Sequence, residues 1–459
     1  MKCKLILLLL VLASCMQNVA QTGNNITVTA DVQQIPDQGF SISYMRSIVR
    51  GFEFDKNKHA ECTIEDFDYL YVTIHNGFKE VKLMYLEKGD NVNLTFDGES
   101  MAKSLVITGG CKPIQDYLDN IDIQWSPDSV FAQEVPEFIN SLKNLVAENQ
   151  KGLDKHFNEI NKVNKNFIKR EKARIKYMMG LSILDYARAH PSMAKLRDYK
   201  PGQDYYDAIL AWMDEDPDFL DIHEYRTVVT EGIAFVLSNQ GPIRSPYEKV
   251  MQQVEYIQKH FKNEQVKQGL INFLVCSHVK AVGITHTKEL IDFYNQHVTD
   301  KDLVAQFQKI YDSWTNVAPG KDAPDFQAMD TTGKKYSLKD FRGEYVCLYL
   351  WPTFQPSITE FGFLQKLRPL LEERKVHLVS LSIDQTPDSW REAIRNKDLQ
   401  IGTHLFMGWD KNFLKTYHYN SNNMYQFVLI DPEGKIIETH APRPSSGKME
   451  EFIKISTRN

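Results

Sequence analysis

Residues 346–361 read V-C-L-Y-L-W-P-T-F-Q-P-S-I-T-E-F. Six apolar, β-prone residues end at Pro352, a second proline follows at Pro356, and apolar residues then recur at helical steps: Ile358, Phe361, Leu364 and Leu367. A continuous apolar run followed by a proline break and a 3.6-residue period predicts a buried strand, a tight turn and a helix.

From about Gly320 onward the chain resembles the thioredoxin-like fold of the membrane-anchored thiol-disulfide oxidoreductases and peroxiredoxin-like proteins. A-P-D-F at 323–326 resembles that family's entry motif, and D-T-T-G-K-K-Y-S-L-K-D-F-R-G at 330–343 its first hairpin. V-H-L-V-S-L-S-I-D at 376–384 matches a central strand, and F-V-L-I-D-P-E-G-K-I-I at 427–437 the last hairpin. The resemblance implies a redox site in the turn after Trp351, where the family reads W-x-x-W-C-P-P-C. Here Gln355 and Ile358 stand at the two cysteine positions. A dithiol reductase needs one thiolate at a helix N-terminus and a second thiol to resolve the mixed disulfide; this turn supplies neither. The family's cis-proline before the last hairpin is also missing. Counting back from Asp431 puts Tyr425 at its place, counting forward from Tyr417 puts Asn423 there, and no proline occurs between Lys411 and Asp431. The resemblance therefore implies a redox-inactive relative. Trp351, Phe354, Tyr425 and Gln426 are its candidate groove-lining residues. Ser357 is the one nucleophile-capable side chain in the turn, and a serine there is ordinarily a cap.

The N-terminus reads as an export signal. Lys2 and Lys4 flank a short basic start, and Leu5 to Leu12 form an apolar stretch too short for an ordinary transmembrane helix. L-A-S-C at 12–15 resembles the bacterial lipobox, which implies acylation of Cys15 and a lipid anchor on a membrane. Cleavage near Ala20 by the ordinary signal peptidase is the other reading. Besides Cys3 and Cys15, the cysteines are Cys62, Cys111, Cys276 and Cys347, with no C-x-x-C among them. Their spacing suggests neither a zinc site nor a redox pair. Cys62 and Cys111 share one region in a compartment that permits a disulfide, while Cys276 and Cys347 sit in apolar runs as small buried hydrophobes.

Four segments are expected: 1–21 signal and lipobox, 22–112 a β domain, 113–316 a helical domain, and 317–459 the thioredoxin-like domain. Alternating runs such as I-T-V-T-A at 26–30 and F-S-I-S-Y at 40–44, with turns at Asn76-Gly77 and Lys88-Gly89-Asp90, predict six to eight strands in a sandwich or barrel. This part resembles the β domain of unknown function that precedes thioredoxin-like domains in lipoproteins of Bacteroidetes. Seven or eight helices follow, punctuated by prolines such as Pro191, with apolar stripes that most simply pack on one another. The Lys/Arg-rich run at 154–176 reads as a solvated helix face.

The net charge of −6 gives no electrostatic reason for nucleic-acid binding. Thirteen scattered histidines include no H-E-x-x-H or H-x-H, and no P-loop, dinucleotide fingerprint or G-x-S-x-G occurs, so no metal or other cofactor is implied. His418 lies near the groove of the family. The fold expectation is thus a multidomain chain: a β sandwich or barrel, an all-helical region and an α/β thioredoxin-like domain. The functional expectation is a non-catalytic, lipid-anchored binding or assembly protein of the cell envelope, with a protein or peptide partner. The alternative is a thiol-disulfide or peroxide reductase using a non-standard cysteine such as Cys347.

Overall fold

A computed structural model describes residues 25–36, 39–44, 48–65, 67–77, 79–110, 112–121, 123–158, 165–384, 386–395, 399–419 and 425–457. Cys3, Cys15, Cys111 and Asn423 lie outside these residues, and with them the signal, the lipobox and one partner of the candidate disulfide. Among the described residues Cys62 forms no disulfide. By backbone contacts the chain forms two compact units, Met1–Gln240 and Gly241–Asn459. The break falls within residues 113–316.

In the first unit, alternation of apolar and polar residues produces β1 (Ile26–Val32), β2 (Phe40–Tyr44), β3 (Ile48–Gly51), β4 (His59–Ile64), β5 (Tyr69–Asn76), β6 (Lys79–Glu87), β7 (Asn91–Phe96) and β8 (Val106–Gly109), with a single helical turn α1 (Met101–Ser104) before β8. They form two four-stranded sheets, in the orders β4-β1-β7-β8 and β3-β2-β5-β6. Ile26, Val28, Ile42, Val72, Ile74 and Leu94 meet in one core between the sheets, so the fold is a sandwich and not a barrel.

Five helices complete this unit: α2 (Lys112–Asn120), α3 (Val135–Phe157), α4 (Lys165–Met193), α5 (Gln203–Ala211) and α6 (His223–Gln240). Pro191 does not end α4; it sits in its last turn, where few backbone bonds remain to be lost. The helices do not pack only on one another. Tyr69, Tyr71, Leu83 and Tyr85 of β5 and β6 form a core with Ile114, Tyr117, Leu153, Phe157 and Phe167 of α2, α3 and α4. β5 is apolar on both faces because aromatic residues alternate with aliphatic ones, and the second face needs a cover.

The charged run at 154–176 is correspondingly not all solvated. Arg170, Glu171 and Arg174 are buried. Arg174 donates to both Glu171 oxygens, at 2.6 and 2.8 Å. The hydroxyls of Tyr71 and Tyr117 donate to the same carboxylate. Arg170 lies over the Tyr69 ring, 3.8 Å from its centroid, and pairs with Asp221. A periodicity argument assigns charge to water, but here each charge has found a partner inside.

The second unit begins with α7 (Pro246–His260), α8 (Glu264–Val282), α9 (Lys288–His297) and α10 (Lys301–Thr315). Nine helices of the described residues thus follow the sandwich, one or two more than the periodicity predicts. The rest of the unit is the α/β domain: β9 (Ala328–Met329), β10 (Lys335–Tyr336), β11 (Tyr345–Trp351), α11 (Gln355–Glu373), β12 (Val376–Ser382), α12 (Pro387–Ala393), β13 (Thr403–Phe406), α13 (Lys411–Thr416), β14 (Gln426–Ile430), β15 (Ile436–Glu438) and α14 (Met449–Ser456). Its seven strands run in the order β10-β9-β13-β12-β11-β14-β15. β11, β12 and β13 are parallel and β14 is antiparallel to β11. β11 is buried along almost its whole length because it lies mid-sheet. The strand, turn and helix expected at 346–361 are present, and so are both hairpins, as the thioredoxin-like fold requires.

Candidate functional site

The three parallel strands end together at one edge of the sheet. This is where open α/β sheets ordinarily bind ligands, and it holds the turn after Trp351. The turn is fixed by Asp384, just beyond β12, whose carboxylate accepts the Thr353 N–H at 2.8 Å and the Ser382 hydroxyl at 2.7 Å. The helix then starts at Gln355, with Phe354 at its N-cap and Pro356 in its first turn. No side chain caps it. Ser357 is fully buried and its hydroxyl donates backwards, to the carbonyls of Phe354 at 2.8 Å and Pro352 at 2.5 Å. The expectation of a serine cap is therefore corrected: Ser357 satisfies turn carbonyls, not helix amides.

The candidate groove residues divide. Trp351 is fully buried, with its ring edge-on to Phe361 at 5.0 Å. Tyr425 is 8 % exposed; its hydroxyl donates to Glu360 at 3.1 Å, and Arg443 covers its ring at 4.8 Å. Gln426 is an interior strut that donates from Nε2 to the carbonyls of Tyr417 and Thr439, at 3.0 and 2.9 Å. Only Phe354 is half-exposed. Three of the four expected lining residues are thus inside the domain. The groove beside the turn is filled from below, because Tyr425 reaches α11 and meets a buried carboxylate. Of the two former cysteine positions, Ile358 packs partly buried against the core. Gln355 begins α11, and its side chain lies outside the described residues.

Cys347, the domain's one cysteine in the sequence, is fully buried mid-strand, and burial pushes its thiol up to about 12. A thiol so placed is neither ionised nor reachable near neutrality. Cys276 on α8 is also buried, its thiol raised to about 11 by the same cause. Among the described residues no cluster of His, Cys, Asp and Glu could hold a metal ion, and no helix is long and apolar enough to cross a membrane.

Sequence reasoning passed over three residues at this edge. Asp384 closes the run 376–384, and a carboxylate at the end of a central strand was the available signal. Glu360, 2 % exposed, accepts the Ser445 N–H at 3.0 Å as well as the Tyr425 hydroxyl. Trp409 follows β13, 53 % exposed and edge-on to Tyr419 at 6.2 Å; nothing in its sequence context marks it as a surface residue.

Residues 319–439 match the AhpC/TSA family. A thiol-disulfide oxidoreductase ResA of Bacillus thuringiensis subsp. konkukian is 31% identical over 136 residues, which are 29% of this chain and 76% of the relative. The chain belongs to the AhpC/TSA family. The ResA of Bacillus subtilis is 22% identical over 193 residues, 41% of this chain and 91% of that protein. The thioredoxin domain of a thiol-disulfide oxidoreductase from Bacteroides vulgatus is 24% identical, with a TM-score of 0.28, over 31% of this chain and 99% of that one. The family match lies in residues 319–439, in the C-terminal α/β domain.

One titration follows from the AhpC/TSA sheet. His404 on β13 bonds to the Ser380 hydroxyl at 2.7 Å, and burial lowers its pKa from 6.5 to about 4. The unfolded chain then binds the proton first. Stability should fall as pH drops below about 6.5 and level off below about 4, by roughly 3 kcal/mol. Urea midpoints at pH 7.5 and 4.5, compared with those of His404→Gln, read this; an unchanged pH slope in the variant would assign the loss to other groups.

Proposed function

We propose that the AhpC/TSA domain of this chain is redox-inactive and serves protein or peptide binding or assembly in the cell envelope, on an exported protein held to a membrane through lipid on Cys15. The observation that carries the reading is a combination: no thiol at the start of α11, and the domain's single cysteine buried mid-strand in β11 with its thiol raised to about 12. Thiol-disulfide exchange begins with attack by an accessible thiolate, and neither requirement is met. The half-exposed Phe354 and the exposed Trp409, both at the sheet edge where such folds bind ligands, support a binding role. L-A-S-C at 12–15 supports the anchor.

The second reading is a thiol-disulfide or peroxide reductase, favoured by the names of the relatives. The two part on one experiment with the chain from Thr22 onward and its Cys347→Ala variant. Neither should reduce insulin disulfides or consume peroxide above buffer, and Cys347 should resist thiol reagents until the chain is denatured. Activity that vanishes in Cys347→Ala would make this cysteine the site of a rearranged reductase. A photocrosslinker for the partner belongs at Phe354 or Trp409, since Tyr425 is interior.

A further inference from the structure

The junction between the helices of the second unit and its AhpC/TSA domain is built around one tryptophan and two histidines. Trp314, in the last turns of α10, is 2 % exposed. One side of its indole lies against Gly283, where an added Cβ would stand 3.0 Å from the ring. His418 stacks on the indole, with centroids 3.9 Å apart and planes 13° from parallel, and His440 approaches it at 5.2 Å. The seam is closed by polar bonds between the same segments. His418 Nε2 donates to the Ser313 carbonyl at 3.0 Å, and the Thr439 hydroxyl donates to the Val317 carbonyl at 2.6 Å. His418 adopts a left-handed φ of 52° to reach this position, an unfavourable choice for a residue other than glycine that the docking must offset.

We propose that His418 and His440 form an acid-sensitive latch, in which protonation of the two imidazoles flanking Trp314 releases α10 from the AhpC/TSA domain. Protonation keeps the His418 Nε2–H bond to Ser313 but puts two imidazolium ions around one indole in a dry seam, where desolvation and mutual repulsion oppose the charge. The carboxylates nearest the seam bond to neutral donors and not to either imidazole. α10 presents the Ser313 carbonyl and the neutral indole, and its Asp312 is engaged by Gln308 at 2.6 Å. α8 presents Gly283, while its Lys280 acts on Cys276. From the last hairpin, Glu438 takes the backbone N–H of His440 at 3.0 Å. From the loop after α13, Tyr417 donates its hydroxyl to the Pro324 carbonyl at 2.9 Å. Burial lowers both histidines, His440 to about 4 with His418 as a further cause. The latch is therefore shut above about pH 6.5 and is lost as the pH falls toward 4. For His440 alone the open-to-closed ratio at pH 4.5 should rise on the order of a hundredfold.

Amide exchange of residues 313–322 and 436–441 in the full chain, corrected for intrinsic rates, tests this at pH 7.5 and 4.5. The expected result is protection that drops at least tenfold on acidification in the native chain, and a drop reduced or abolished in the His418→Gln, His440→Gln double variant. An equal drop in both, or none in the native chain, overturns the latch. If the double variant is unprotected already at pH 7.5, the single His440→Gln chain replaces it for exchange, and histidine-selective 13C NMR is run on the native chain. His418 and His440 must then titrate below 6.5 together with the loss of protection. Titration at ordinary values, or uncoupled from opening, overturns it equally.

Discussion

Replacing Glu171 with alanine should destabilise the first unit by about 3–5 kcal/mol, because it leaves the Arg174 guanidinium buried without its counter-charge. Glu171 is fully buried and Arg174 is 7 % exposed, so water cannot enter to compensate without opening the core. The loss extends beyond one ion pair. Both Tyr71 and Tyr117 use this carboxylate as the acceptor for their hydroxyls, and a buried hydroxyl left unmade adds its own desolvation. Glu171→Gln retains an acceptor and should lose less than the alanine variant. Replacing Glu171 and Arg174 together by leucine and methionine should recover much of the loss, since a buried pair contributes little net stability against apolar residues of similar size. Urea denaturation with amide exchange in β5 and α4 reads all three. A Glu171→Ala loss under about 1 kcal/mol would mean that Arg174 finds another partner, such as Glu224, 4.0 Å away.

Trp351→Ala should lower the stability of the second unit by a comparable amount, about 3–5 kcal/mol, as expected for truncating a large aromatic in a packed interior. The indole lies between Tyr349 and Phe361, and its N–H has no hydrogen-bond partner among the described residues. Trp351→Phe therefore sacrifices volume without orphaning a polar group and should cost less than half as much. The pair of variants separates two roles for this position. A residue that lines a binding surface would change ligand affinity and leave stability nearly untouched. A residue of the interior does the reverse, and full burial predicts the second. Amide exchange of β12 and α11 gives the measurement.

How far the chain could be read depended on whether one pattern had one meaning. Residues 346–361 could be read because an unbroken apolar run, a proline and a helical period exclude the alternatives locally, and the hairpins around them supplied the rest of the domain. The strands at 40–44 and 91–96 have the same clarity. Tyr69 and Tyr71 do not: a tyrosine on the second face of β5 suits solvent or a covering helix equally, and only the tertiary arrangement decides. Arg170 and Arg174 misled for the same reason, since a charge found on a helical period says nothing about whether its partner lies inside. In the candidate site, the absence of cysteines at 355 and 358 is a property of the sequence. The inward turn of Tyr425 and Gln426 depends on Glu360 and on the carbonyls of Tyr417 and Thr439, contacts 13 to 65 residues away in two cases that no local pattern encodes.

The second aromatic face of β5 and β6 has a consequence for how this protein can be taken apart. A cut near residue 112, where composition changes from strand to helix, would leave Tyr69, Tyr71, Leu83 and Tyr85 wet on one side of the sandwich and strand the Tyr71 hydroxyl that now meets Glu171. Such a fragment would be sticky rather than independent. The sandwich is therefore not a portable module: for transplantation, expression or rearrangement, its smallest self-sufficient form carries its helices with it, out to the end of α6.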